Sequence, residues 1–157
     1  MKDHHSMSDF TVLATNHTSF TVSSLDRTVA FFTEALGFAL LSRAPRDPNA
    51  MQRITGVTGG EAEIAFVQGP GHRIELIEYK NPSERQTVDS QPWHTGFAHV
   101  AYDVDDIDAA VAAAGQHGFS LTGEVYVIDK GPNAGRRVCY LSDRDAIAIE
   151  FIEVKSA

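Results

Sequence analysis

At 157 residues, 43% hydrophobic and 22% charged, the chain has the size and balance of one globular domain, or of two small halves sharing a core. A net charge of −8 without a basic stripe excludes a nucleic-acid partner, and no apolar run nears the ~20 residues that cross a bilayer. The single Cys139 excludes an intrachain disulfide and, within Val138-Cys139-Tyr140-Leu141, reads as a buried structural thiol.

Residues 1–9 read as a disordered or vector-derived tail, and His4-His5 is not taken as a metal site. With no secretory h-region at the start, the cytoplasm is the expected location. The first half spans residues 10–80. Residues 16–22 alternate as a strand, with Phe20 and Val22 on one face and His17 on the other. Ser23 or Ser24 can cap a helix carrying Val29, Phe32 and Leu36 on its apolar stripe, and Gly37 ends it. A strand follows at 38–42. The Pro-, Gly- and Arg-rich stretch 44–60 reads as a long loop. Residues 61–68 and 72–79 make a hairpin about Gly69-Pro70-Gly71. Residues 81–95, with Pro82 and Pro92, read as a linker in which Trp93 packs between the halves.

The second half, residues 96–157, repeats the plan. A strand at 97–104 and an Ala-rich helix at 105–116 precede strands near 119–126, 136–142 and 147–154. The correspondence extends to residues. His17…Phe20…Val22…Leu25-Asp26…Val29-Ala30 matches His99…Tyr102…Val104…Ile107-Asp108…Val111-Ala112. Ile74-Glu75-Leu76-Ile77-Glu78 is echoed by Ile149-Glu150-Phe151-Ile152-Glu153. The chain is therefore expected to be an α+β protein of tandem βαβββ modules. Together these form an open, curled, eight-stranded mixed sheet with helices on its convex face and a metal-binding cleft on its concave face.

Strand parity selects the candidate ligands. His17, His99, Glu75 and Glu150 each oppose an apolar face, so all four face the cleft. Two imidazoles and two carboxylates related by a pseudo-twofold axis suit a borderline divalent ion: Ni, Co, Zn, Mn or Fe. Arg73 and Tyr79 share the parity of Glu75 and are expected to line the cleft. Arg136 is a candidate for binding an anionic group. Asn133, with its loop Gly131–Gly135, is a candidate lid over ligand.

These motifs, with Tyr140-Leu141-Ser142-Asp143 near the end, resemble the vicinal oxygen chelate superfamily over roughly residues 10–154. That superfamily includes glyoxalase I, methylmalonyl-CoA epimerase, extradiol dioxygenases, and the fosfomycin and bleomycin resistance proteins. The resemblance implies paired βαβββ modules, metal positions at His17, Glu75, His99 and Glu150, and a homodimer acting on a small molecule. The His/Glu/His/Glu order is most similar to glyoxalase I, a lyase/isomerase. There Glu150 or Glu75 would take a proton beside a metal-held carbonyl or enediolate and return it. The alternatives are an extradiol-type dioxygenase, disfavoured because Glu75 stands where such enzymes carry His, and a non-catalytic drug- or metabolite-binding protein of the bleomycin resistance kind. The resemblance departs at one turn. Asp143-Arg144-Asp145-Ala146 replaces the usual D-P-D-G, and it is expected to be a plain surface turn.

Overall fold

The computed structural model describes residues 10–154. The expected tail at residues 1–9 lies outside them. The first module runs β1 (Thr18–Thr21), α1 (Leu25–Ala30), β2 (Ala39–Pro45), α2 (Pro48–Thr55), β3 (Glu61–Gly69) and β4 (His72–Asn81). The second runs β5 (Val100–Val104), α3 (Ile107–Gln116), β6 (Ser120–Leu121), β7 (Tyr126–Val127), β8 (Arg137–Ser142) and β9 (Ala148–Glu153). No helix among them is long and apolar enough to cross a membrane.

The strands form two mixed sheets, ordered β1-β4-β3-β2 and β5-β9-β8-β6, with β7 also on β8. This corrects the expected single eight-stranded sheet. β1 and β5 each end their own sheet without pairing to one another, so the modules join through side chains instead of a shared ladder. The ninth strand arises because the expected strand at 119–126 is broken. Leu121 faces Leu141 and Tyr126 faces Val138, so five steps along the edge strand oppose three along β8. The surplus residues must loop out.

The helices form where their ends are capped. Ser24 accepts from the Arg27 amide at the start of α1, and Asp106 accepts from Ala109 at the start of α3. α1 continues as a wider π turn over Phe31–Ala35. α2 corrects the long loop expected at 44–60. Asp47 caps it through the Ala50 amide, Pro48 fills its first turn, and Gly56 closes it at φ 77°. Met51 seats it on Ala62 and Ile64 of β3.

One hydrophobic core serves both modules. Ala65, Val67, Ile74 and Leu76 from the first sheet share it with Cys139, Leu141, Ile149 and Phe151 from the second. Phe31, at the end of α1, stacks on Phe119 at 3.9 Å, and Phe38 meets the Tyr102 ring edge-on at 5.4 Å. A buried ion pair adds to the join. The Arg27 guanidinium lies 2.6 Å from Asp145 and 3.4 Å from Asp143, and Asp145 also accepts from the Ser23 amide. The turn expected to be a plain surface feature is thus a latch between modules, and Ala146 within it sits at φ 59°. Burial pushes the Asp143 carboxyl above its ordinary range, against the pull of the Ile147 and Asp145 amides.

Candidate metal centre

The sheet registers bring the repeated residues together in pairs. In the first sheet Ser19 lies beside Glu75 on parallel β1 and β4; in the second, Ala101 lies beside Glu150 on β5 and β9. In each case the histidine stands two residues earlier, on the same face. His17 Nε2 is accordingly 3.3 Å from Glu75 Oε2, and His99 Nε2 is 3.1 Å from Glu150 Oε2. Both pairs occupy the face turned away from the shared core, because Ile74 and Leu76, and likewise Ile149 and Phe151, point into it.

Each pair has the polarity of half a cation site. Asn16 Oδ1 accepts from His17 Nδ1 at 2.7 Å, which orients the ring with Nε2 toward Glu75. The side chains of Glu75 and Glu150 retain only 14% and 18% exposure, yet each has only its histidine as polar partner among the described residues. An imidazole nitrogen beside a mostly buried carboxylate suits a positive charge between them, whether a proton or a bound cation. The second glutamate of each repeat shows the contrast. Glu78 accepts from the Leu25 amide at 2.7 Å and pairs with Lys80; Glu153 accepts from the Ile107 amide at 3.1 Å and pairs with Arg137. Those two carboxylates are satisfied structural groups that anchor helix N-termini.

An aromatic ring completes each pair. Phe66 is registered with Glu75, and Tyr140 with Glu150. Phe66 stands edge-on to His17 at 5.6 Å, and Tyr140 edge-on to His99 at 4.9 Å. The repeat motifs do not reveal these two residues, since β3 and β8 match poorly between the halves; counting across the hairpins would have found them. Burial, and after it the charge of Glu150, push the Tyr140 phenol up.

Among the described residues, no third His, Cys, Asp or Glu joins either pair. The structure thus brings the four expected residues together as two separate His–Glu pairs. Arg73 lies two positions before Glu75 on the same face and is exposed. Tyr79 shares that face but lies four residues along, roughly 13 Å away, packed with Met51 and Ala62. Asn133 and Arg136 lie in the loop between β7 and β8, where the Arg136 amide bonds back to Asn133 O at 3.1 Å. Neither lines the two large cavities. One of these, about 690 Å³, lies between the linker and the second half-site and is bounded by Gln91, Trp93, Phe97, Tyr140 and Glu150. Trp93, expected to pack between the halves, is 77% exposed at its rim. His72, at the start of β4, is half-buried, with its ring Nε2 2.8 Å from Thr18 Oγ1. Cys139 is buried as expected, and burial pushes its thiol up.

Comparison with known proteins places the chain in a family. Residues 14–151 match the family model described as the Glyoxalase/Bleomycin resistance protein/Dioxygenase superfamily. The chain is 33% identical over 148 residues to a 2-epi-5-epi-valiolone epimerase of an Actinomyces species, covering 90% of this chain and 80% of that one. It is 31% identical over 144 residues to a lactoylglutathione lyase of Haemophilus influenzae, covering 89% and 92%. A crystal structure of a glyoxalase family protein from Bacillus cereus superposes with a TM-score of 0.80 at 31% identity, covering 96% of this chain and 99% of that one.

Proposed function

The chain belongs to the glyoxalase/bleomycin resistance protein/dioxygenase superfamily, and within it we propose a metal-dependent lyase or isomerase that moves a proton on a carbon next to a carbonyl or enediolate of a small metabolite. The observation that carries this is the pair of nearly buried carboxylates, Glu75 and Glu150, each facing only an imidazole nitrogen. One nitrogen and one oxygen per half-site give a four-donor set suited to Ni, Co, Zn, Mn or Fe, with His17, Glu75, His99 and Glu150 as the holders. When bound, such an ion supplies Lewis-acid polarisation of the substrate oxygen. Glu75 or Glu150 then takes the proton from the neighbouring carbon and gives it back. Similarity to both a named epimerase and a named lyase supports proton movement as the shared chemistry.

Among the described residues the two pairs do not meet, so the complete site would take His17 and Glu75 from one copy and His99 and Glu150 from another. A twofold dimer then builds two such sites. Metal analysis and subunit mixing test the reading. The wild type should retain near-stoichiometric divalent metal, and His17→Ala/His99→Ala should retain none. A chain carrying His17→Ala/Glu75→Gln, mixed and re-equilibrated with one carrying His99→Ala/Glu150→Gln, should recover about a quarter of the wild-type metal capacity, since half the dimers are mixed and each holds one intact site. Wild-type protein that takes up no divalent ion defeats the catalytic reading. Failed recovery alone defeats only the shared site.

A further inference from the structure

The two half-sites match in register but differ by one hydroxyl. Phe66 and Tyr140 occupy the same rung opposite the glutamate, with the same edge-on packing against the histidine. The Tyr140 oxygen lies 3.5 Å from His99 Nε2, the nitrogen that also faces Glu150. On the proposed function, His99 Nε2 would be turned to the ion. With the nitrogen so engaged, the phenol O–H beside it is left to donate elsewhere. It stands on the wall of the 690 Å³ cavity, where a small substrate would enter.

We propose that Tyr140 is the substrate-orienting residue of this site: its O–H donates to the substrate oxygen seated beside His99, while Phe66 offers the opposite side only an apolar edge. The inference rests on the proposed metal site and adds direction to it. Four ligands related by a twofold axis would hold either end of a substrate equally well. One hydroxyl against one bare ring breaks that tie. The substrate class that fits bears an oxygen acceptor on the side facing Tyr140 and a C–H or alkyl group on the side facing Phe66.

Tyr140→Phe tests this with little risk to folding, because the counterpart position already holds Phe. Both proteins are loaded with Co(II) and titrated with acetohydroxamate, a bidentate oxygen donor, following the visible cobalt bands. The expected result is equal cobalt content with hydroxamate affinity weakened about tenfold, as for loss of a hydrogen bond to a charged acceptor. Equal cobalt and equal affinity overturn the role of Tyr140 and leave the metal site standing. Wild-type protein that binds no cobalt overturns both.

Discussion

The two modules started as copies and now do different work. The first has the fuller sheet, a nine-residue β3 against a ten-residue β4, and an extra helix, α2, seated on the same face as its half-site. The second has a broken edge strand, no such helix, and the linker lying against its half-site instead. The His–Glu pairs are nearly superposable in register, so the difference is confined to what surrounds them. The His–Glu pairs are matched between the modules and the walls around them are not.

Glu75→Gln and Glu150→Gln probe that division most strongly. Each should abolish tight metal retention, and kcat/KM on any substrate found should fall by about a thousandfold or more. Elemental analysis and steady-state kinetics check both. Unequal losses would show which half supplies the proton-transferring carboxylate. Arg27→Ala, which removes the latch between modules, leaves buried Asp143 and Asp145 with backbone amides but no cation; urea unfolding should record a loss of about 3 kcal/mol, with metal content unchanged.

Tyr102→Phe works in the other direction. The Tyr102 hydroxyl is a buried polar atom without a hydrogen-bond partner among the described residues, and the equivalent position in the first module is Phe20. Making the second module resemble the first here should raise stability by about 1 kcal/mol, read as a higher urea midpoint at constant slope. The smallest expected effect concerns pH. Burial opposes ionisation of Glu78, but Lys80 and the Leu25 amide outweigh it and hold the carboxyl below its ordinary 4.5. A depressed acid stabilises the fold above that value and loses its contribution as pH falls through its folded one. Glu78→Gln should therefore flatten the acid limb of a urea-midpoint profile below pH 4.5 and leave the binding of metal at neutral pH intact.

Much of this was legible in the sequence because strand parity is a local property. The positions of His17, Glu75, His99 and Glu150 relative to their apolar neighbours decide which face each occupies, and the structure places them accordingly. How many of them meet is not local. It depends on whether β1 pairs with β5, a choice made by packing around Phe31, Phe119 and Tyr102 over long sequence separations. The helix α2 did announce itself through Asp47-Pro48 and Gly56, but the polar, Arg-rich composition around it masked its single buried anchor, Met51. Arg27 with Asp143 and Asp145 could not be foreseen, because three exposed-looking charges on separate elements carry no periodic signal. Phe66 and Tyr140 became visible only through the hairpin register.

The interruption between β6 and β7 has a practical meaning. Gly123 and Glu124 stand at the rim of the cavity, Gly123 with open space around it, between the Thr122 amide, which donates to the carbonyl of Tyr140 at 3.0 Å, and Val125, which packs on the core. Chain length at that point is decoupled from the ladder that carries Glu150. A library of insertions there would vary the shape of the cavity mouth without moving the His99–Glu150 pair, so this short stretch is the natural grafting position for reshaping what the cavity admits.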